Sequence, residues 1–189
     1  MNKIWMTFPE FLQEDYRVIA TDKVIPWIKL KDSRILVTGA TGEIGREIVS
    51  TLLYVNDFFK LNLKILCVIR SVEKFKNLFA KFFVDFDKNL EFICDDVESF
   101  DIKHKVDYII HTASPTASSY FISQPVETIN SIVLGTLNVL KNAKINSVRS
   151  MVFLSSMEIY GVLNSENVKE NENGIINTMN VRSSYSEAK

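Results

Sequence analysis

The sequence predicts an α/β fold, a doubly wound parallel sheet with helices on both faces, and two features support this. From Arg34 onward, short runs of β-branched and apolar residues alternate with longer amphipathic stretches. This alternation is typical of βαβ crossovers, in which each helix connects two parallel strands. A segment with three glycines, at residues 39–45, directly follows the first run and opens the first amphipathic stretch.

The alternating pattern predicts the positions of the strands and helices. The strands are expected at residues 35–38, 63–69, 90–94, 106–111 and 151–155. The helices are expected at residues 43–60, 72–83 and 125–144. A short turn near residues 97–103 and an exposed polar loop at residues 164–180 complete this domain, which spans residues 34–189.

Residues 1–33 are interpreted as an N-terminal arm. It is expected to contain a short helix at residues 10–19, and Pro26 and Trp27 interrupt the pattern that follows. The arm carries no residues that suggest chemistry, so we expect it to pack across the main domain or against a partner subunit.

Composition restricts the classes of function. The chain has 189 residues, 47% of them apolar and 24% charged, which is ordinary for one globular domain. Its net charge of −1 gives no electrostatic reason to bind nucleic acid or an anionic membrane. Both Cys67 and Cys94 fall within predicted strands. We therefore expect buried thiols in a reducing compartment, by default the cytoplasm.

The glycine segment predicts a Rossmann-like dinucleotide-binding domain. Gly39 permits the tight turn, Gly42 lets the backbone approach a pyrophosphate, and Gly45 allows close packing of helix on strand. The amides at the start of the helix then face the phosphates. The cofactor-binding residues expected on this loop are Gly39, Thr41, Gly42, Glu43, Ile44 and Gly45.

The ends of the second and third strands bear on the identity of the cofactor. NAD-binding domains often place an acidic residue after the second strand, but Arg70 stands there. Its guanidinium could pair with the 2′-phosphate of NADP, stack on the adenine, or be solvated. Asp96 and Val97 follow the third strand, where they are placed to meet the adenine ring. We expect NAD as the cofactor, with Arg70 leaving NADP open.

The candidate catalytic residues lie near the end of the sequence. Tyr185 and Lys189 are four positions apart, so they share one helix face and the ammonium can sit beside the phenol. A free tyrosine has a pKa of about 10, and lowering it by about three units requires roughly 4 kcal/mol. One partly solvated lysine is not expected to supply this alone, so a bound cofactor is expected to contribute.

With its pKa lowered in this way, Tyr185 would take a proton from a substrate hydroxyl as hydride leaves the same carbon. Ser156, just past the fifth strand, would donate a hydrogen bond to that oxygen. His104 and His111 have no partners at metal-ligand spacing, and we expect a structural role for His111.

A family resemblance rests on four segments, at residues 38–45, 106–114, 135–140 and 155–161, and on the final Tyr/Lys pair. They resemble the extended short-chain dehydrogenase/reductase family of nucleotide-sugar epimerases, dehydratases and decarboxylases. Residues 111–129 and 182–189 are most similar to the UDP-glucuronate decarboxylases within it. The resemblance implies a UDP-sugar substrate. It also implies an intact protein that forms a homodimer through a four-helix bundle, to which each subunit gives the 125–144 helix and the Tyr/Lys helix.

The same resemblance implies roles for individual residues. Ser156 and Glu158 would flank the sugar, whereas Tyr185 and Lys189 would handle the proton and the cofactor. The residues that would line the dinucleotide in addition to the glycine loop are Thr112, Ala113, Ser114 and Ser155.

The residues after the fifth strand narrow the reaction. The 4,6-dehydratases of the family carry a Thr-Asp-Glu triplet, and the matching residues here are Ser156, Met157 and Glu158. Methionine cannot protonate a leaving hydroxyl, so 4,6-dehydration is disfavoured, whereas decarboxylation and epimerisation at C4 both remain open. The family's asparagine three residues before Gly135 is Ile132 here, so the helix contact of that asparagine is not carried over.

Two other functions are weighed against the nucleotide-sugar enzyme. The end of the second strand, at residues 66–71, resembles that of thioester reductases and NADPH-dependent ketone reductases. The chain could also be a remnant that binds a dinucleotide without turnover, because members of the family continue through further strands and a substrate lobe. We therefore expect the 189-residue chain alone to have little or no activity, and we expect Lys189, with no helix beyond it, to fray.

Overall fold

The structure, a computed structural model, describes residues 10–79, 88–163 and 167–189. Within these residues the strands are β1 (Arg34–Thr38), β2 (Lys64–Ile69), β3 (Leu90–Cys94), β4 (Tyr108–His111) and β5 (Ser150–Phe153). The α-helices are α1 (Glu10–Thr21), α2 (Glu43–Phe59), α3 (Val72–Phe79), α4 (Ser118–Ser123), α5 (Pro125–Asn146) and α6 (Ser184–Ala188). Short 3₁₀ helices lie at Trp27–Leu30, Met157–Tyr160 and Val181–Ser183.

The strands form one parallel sheet in the order β3-β2-β1-β4-β5. The chain moves outward from β1 to β3 and then returns to the other side of β1, so the order reverses between β1 and β4. There Val37 pairs with Cys67 on one side and with Ile110 on the other. The predicted fold class, a Rossmann-like doubly wound parallel sheet, is confirmed. Such a reversal is where open α/β sheets bind ligands, beyond the carboxyl ends of the strands.

The central strands β1 and β2 are covered on both faces, which explains their continuous apolar runs. On one face, α2 and α3 contribute fully buried side chains such as Leu53 and Phe75. On the other face, Val139 of α5 packs with Leu36 and Phe100. Among the described residues, no helix combines the length and the apolar character needed to cross a membrane.

The described part of the N-terminal arm packs on the same domain. Tyr16 and Ala20 of α1 are buried in the core cluster that contains α2. The Tyr16 hydroxyl also donates a 2.8 Å hydrogen bond to Glu47 Oε2 of α2. Of the two expectations for the arm, packing across the main domain therefore holds for residues 10–33.

Several element boundaries differ from the predicted ones. The strand predicted at 106–111 begins at Tyr108, and the strand predicted at 151–155 ends at Phe153. The prediction for α3 extends to residue 83, and its last four residues lie outside the described ranges. Helix α4, between Pro115 and Pro125, was not predicted, because its six residues are too few to show a helical period.

One expectation about exposure is corrected. Cys67 is fully buried, and burial raises the pKa of its thiol, but Cys94 is exposed. Cys94 differs because it is the last residue of β3, which forms an edge of the sheet. The polar loop predicted at residues 164–180 is mostly exposed over its described residues 167–180, and Ile175 within it pairs with Val162 in an antiparallel bridge.

Candidate functional site

The residues singled out from the sequence come together at the carboxyl ends of the strands. The glycine loop follows β1, Arg70 follows β2, Asp96 follows β3, Thr112 follows β4 and Ser156 follows β5. Because all strands are parallel, these segments lie at the same end of the sheet, on both sides of the reversal in strand order between β1 and β4.

The glycine loop lies against the segment that follows β4. Gly39 has a φ of +69°, and a Cβ atom there would lie 2.7 Å from both the Ala113 nitrogen and Thr112 Oγ1. Gly45 is buried, and its added Cβ would meet the Gly39 carbonyl group. Gly42 is the N-cap of α2 and has no side chain to satisfy the first amides of the helix. The N-terminus of α2 thus has no side-chain cap at Gly42, and uncapped helix N-termini of this kind can bind anions.

The segment after β4 is tied directly to β1. Thr112 Oγ1 donates a 2.7 Å hydrogen bond to the Thr38 carbonyl oxygen. The Ala113 amide donates a 3.2 Å hydrogen bond to Thr38 Oγ1. Ser114 is half-buried, and its hydroxyl donates to the Pro115 carbonyl at 3.1 Å. The backbone at Thr112 and Ala113 thus forms the wall opposite the glycines.

The other residues predicted to contact the cofactor differ in exposure. Arg70 and Asp96 are exposed, so both side chains are accessible. Val97 is only 8% exposed, because its side chain packs on Gly135 of α5 in the core. Its side chain is therefore not available to an adenine ring. Ile44 is 58% exposed and lines an apolar groove of about 660 Å³ beside β5.

His111 sits behind this wall and is 1% exposed. Its Nδ1 atom lies 2.6 Å from Thr38 Oγ1, and its Nε2 atom lies 3.2 Å from Thr136 Oγ1 of α5. Burial, with a smaller contribution from the nearby Lys189 ammonium, lowers the pKa of His111 from 6.5 to about 4. The imidazole is therefore neutral at physiological pH, and the predicted structural role agrees with this geometry.

The low pKa of His111 predicts how stability changes with pH. Below pH 6.5 the unfolded chain protonates this histidine, whereas the folded chain does not do so until about pH 4. The free energy of unfolding should therefore fall as the pH drops through this window, by about 3 kcal/mol in total from this group. Urea unfolding at pH 7.5 and 4.5 measures the change, which His111→Gln should reduce and His104→Gln should not. An equal pH dependence in the wild type and His111→Gln would contradict the assignment.

Tyr185 is held by an aromatic stack. Its ring lies parallel to that of Phe121 in α4, with ring centroids 4.2 Å apart and planes 8° apart. Ile132 of α5 is 1% exposed and belongs to the same cluster. An apolar contact thus supports Tyr185 at the position where the resemblance described above implies an asparagine.

Lys189 is anchored in the structure, so the expectation that it frays is wrong for this side chain. Its Nζ donates a 2.7 Å hydrogen bond to the Leu154 carbonyl oxygen. The same atom lies 4.9 Å from the Phe153 ring centroid and 5.8 Å from that of Tyr185. Desolvation by burial lowers the pKa of Lys189. The ammonium therefore lies close to Tyr185, at the end of β5.

Ser156 and Glu158 lie beside this pair. Ser156 caps the 3₁₀ helix Met157–Tyr160, and its Oγ accepts a 3.2 Å hydrogen bond from the Glu158 amide. Both oxygens of Glu158 are bound by Arg182, at 2.7 and 2.9 Å. Arg182 also donates to Ser118 Oγ of α4 at 3.2 Å. Arg182 was not predicted as a site residue, although it precedes Tyr185 by one helical turn.

The comparisons with known proteins agree with this arrangement. The family model described as "NAD dependent epimerase/dehydratase family" matches residues 35–189. UDP-glucuronic acid decarboxylase 2 from Arabidopsis thaliana is 32% identical over 181 residues, which cover 92% of this chain and 37% of that protein. UDP-glucose 4-epimerase from Rickettsia bellii (strain OSU 85-389) is 32% identical over 136 residues, which cover 66% of this chain and 37% of the epimerase.

Solved structures show the same fold. The UDP-N-acetylglucosamine 4-epimerase from Methanobrevibacter ruminantium M1, in complex with UDP-N-acetylmuramic acid, matches with a TM-score of 0.68 and 23% identity. That match covers 84% of this chain and 47% of the epimerase. The dTDP-glucose 4,6-dehydratase DesIV from Streptomyces venezuelae matches with a TM-score of 0.67 and 23% identity, over 82% of this chain and 48% of its own.

The chain thus spans 37% of the length of the first curated relatives. The family model nevertheless covers nearly all of the residues that follow the N-terminal arm. Together with the glycine loop on a doubly wound parallel sheet, that match shows that the chain belongs to the NAD-dependent epimerase/dehydratase family.

Proposed function

We propose that the chain is the NAD(P)-binding part of a nucleotide-sugar enzyme that oxidises C4 of a UDP-sugar transiently, of the UDP-glucuronate decarboxylase or C4-epimerase type. The observation that carries the proposal is the convergence of Ser156, Tyr185 and Lys189 after β5, at the same end of the parallel strands as the glycine loop after β1. The similarity to both a decarboxylase and an epimerase supports this reaction class.

The glycine loop after β1 and the backbone at Thr112 and Ala113 after β4 together form a cradle that fits a dinucleotide. The backbone turn at Gly39 and the open amides of α2 at Gly42 would hold the pyrophosphate, because a helix N-terminus favours anions. A bound nicotinamide would supply the hydride acceptor and donor. Arg70 is exposed after β2, where it could pair with a 2′-phosphate, so we propose NAD as the cofactor and keep NADP as the alternative.

On the sugar side, each residue has a role that its position supports. Tyr185 would remove the proton from the C4 hydroxyl, and Ser156 would donate a hydrogen bond to the same oxygen. Within the described part of the chain the Tyr185 hydroxyl has no hydrogen-bond partner, so it is available to a substrate. The ammonium of Lys189 would favour the phenolate form that takes the proton.

The residue between Ser156 and Glu158 supports decarboxylation or epimerisation over dehydration. Met157 is 84% exposed and cannot give a proton to a leaving hydroxyl. When the C4 hydroxyl of a uronic acid is oxidised to a ketone, the C6 carboxylate becomes β to that ketone. Loss of carbon dioxide then needs no added acid at C6, because the electron pair of the broken bond moves into an enolate.

We further propose that the protein is a homodimer, because one face of α5 is apolar and uncovered in the single chain. The side chains that share this face and are exposed are Val126, Ile129, Val133, Leu137 and Leu140. Light scattering after size-exclusion chromatography measures the mass, and a monomer at all micromolar concentrations would contradict the dimer.

The test follows both cofactor and product. The chain, and any longer polypeptide that contains it, is incubated with NAD or NADP and either UDP-glucuronate or UDP-glucose. Product is identified by mass spectrometry while absorbance at 340 nm reports net reduction of the cofactor. The proposal expects product without a net change at 340 nm, because the hydride returns to the sugar. We propose that the 189-residue chain alone gives little of this turnover, since it spans 37% of its curated relatives.

Two other outcomes would favour other functions. Net oxidation of NADPH in step with reduction of a ketone or thioester would favour a reductase, which the exposed Arg70 supports. Binding of NADH without product from any polypeptide that contains the chain would favour a non-catalytic dinucleotide-binding protein. Failure to bind either dinucleotide would exclude all three proposals.

A further inference from the structure

We propose that His111 is a positioning residue for the dinucleotide cradle. As a neutral imidazole with its hydrogen on Nε2, it fixes the side chain of Thr38, the last residue of β1, which binds the 112–114 segment, and it connects both to α5. The proposal rests on the proposed dinucleotide site, whose wall is the backbone at Thr112 and Ala113. It adds a residue that does not itself touch the cofactor.

The position of the hydrogen follows from accounting for each donor at Thr38. The Thr38 side chain is fully buried, and its Oγ1 already accepts the Ala113 amide at 3.2 Å. Its own hydrogen needs an acceptor, and His111 Nδ1 at 2.6 Å is the acceptor found among the described residues. Nδ1 must then carry no hydrogen, so Nε2 carries it and donates to Thr136 Oγ1 at 3.2 Å.

This chain of hydrogen bonds connects the parts that shape the cradle. It runs from the Ala113 amide through Thr38 and His111 to Thr136 of α5. Because a Cβ atom on Gly39 would lie 2.7 Å from the Ala113 nitrogen, a small shift of that amide changes the space next to the glycine turn. His111 therefore controls a distance on which the fit of a pyrophosphate depends.

Protonation of His111 would break the chain of hydrogen bonds. An imidazolium donates at both nitrogens, so Thr38 Oγ1 would face two donors and its own hydrogen would lose its acceptor. Among the described residues, the charged group that acts on His111 is Lys189, the C-cap of α6, whose ammonium further disfavours a second positive charge. The geometry and the low pKa thus both favour the neutral form.

The first test reads the tautomer directly. The sequence contains two histidines, His104 and His111, so a ¹⁵N-histidine-labelled chain gives two pairs of ring-nitrogen signals, and His104→Gln shows which pair belongs to His111. We expect His111 to show a protonated Nε2 and an unprotonated Nδ1, unchanged between pH 7.5 and 5.5. A hydrogen on Nδ1, or an imidazolium within this range, would overturn the proposal. This measurement needs no His111 variant and does not depend on cofactor binding.

The second test separates positioning from folding. His111→Leu keeps the apolar volume but leaves both threonine hydroxyls without their partner, whereas His111→Gln retains one donor and one acceptor. By NADH fluorescence titration, at a temperature where circular dichroism shows folded protein, we expect the dissociation constant to rise at least tenfold for His111→Leu. His111→Gln should recover most of this loss, and His104→Gln should match the wild type.

Thr136→Val gives an independent variant if His111→Leu does not fold. It removes only the acceptor of Nε2 and should weaken NADH binding several-fold. Binding by a folded His111→Leu or Thr136→Val chain within twofold of the wild type would refute the positioning role. Absence of NADH binding by the wild type would instead refute the proposed dinucleotide site, while the tautomer measurement would still decide the hydrogen-bond chain.

Discussion

Replacing Gly39 by alanine is expected to lower the free energy of unfolding by about 2 to 5 kcal/mol and to weaken NADH binding at least tenfold. A φ of +69° costs a residue with a Cβ atom about 1 to 2 kcal/mol. The new methyl group would also lie 2.7 Å from the Ala113 nitrogen and Thr112 Oγ1, and such overpacking typically costs about 1 to 3 kcal/mol. Relief of this contact moves the wall of the cradle, so affinity falls together with stability. Urea unfolding and fluorescence titration measure the two effects.

Gly161 provides a matched control for the same substitution. Its φ is +67°, and its added Cβ would lie 2.6 Å from the Ile175 carbonyl oxygen, so the local strain is similar. It lies after the 3₁₀ helix Met157–Tyr160, away from the glycine loop. Gly161→Ala should therefore lose stability but keep the affinity for NADH while the protein is folded. A parallel loss of affinity in both variants would mean that general destabilisation, not the cradle, explains the effect at Gly39.

The architecture could be predicted from sequence because its signals are local. Each strand of the parallel sheet reads as an apolar run, and the turn at Gly39 needs a residue without a Cβ atom. The position of the glycines directly after β1 then identifies the carboxyl ends of the strands as the location of the candidate site. These features depend on neighbours in the chain, so one sequence is enough to find them.

The contacts that organise the site could not be predicted, because they join residues far apart in the chain. Phe121 stacks on Tyr185 from the short helix α4, which lacks a helical period, and Arg182 binds Glu158 across 24 positions. The exposure of Cys94 depends on which strand lies at the edge of the sheet, and the sequence of one strand does not determine the order of the strands. The anchoring of Lys189 on the Leu154 carbonyl is another contact of this kind.

Replacing Tyr185 by alanine is expected to lower the free energy of unfolding by about 3 kcal/mol or more, whereas phenylalanine should change it by about 0.5 kcal/mol or less. The ring is 8% exposed and packs on Phe121 and Ile132, so its removal leaves a cavity in a closed apolar cluster. Tyr185→Phe keeps the ring and removes an oxygen that has no hydrogen-bond partner in the described part of the chain. Urea unfolding of both variants measures the difference.

The same pair of variants separates the support of the site from its chemistry. If the hydroxyl is the base proposed above, Tyr185→Phe should lower UDP-sugar turnover by about 10² to 10⁴ in a polypeptide that is active, because a positioned acid–base group contributes about that much. Binding of NADH should change little, since the ring still stacks on Phe121 and Lys189 still reaches the Leu154 carbonyl. Retained turnover in Tyr185→Phe would assign the proton transfer to another group, and an equal loss of stability in both variants would show that the hydroxyl, not the ring, supports the fold. Because the Tyr185 ring stacks on Phe121, we expect neither of these contradicting outcomes. We expect the ring to stabilise the helix and the hydroxyl to act in the proposed proton transfer.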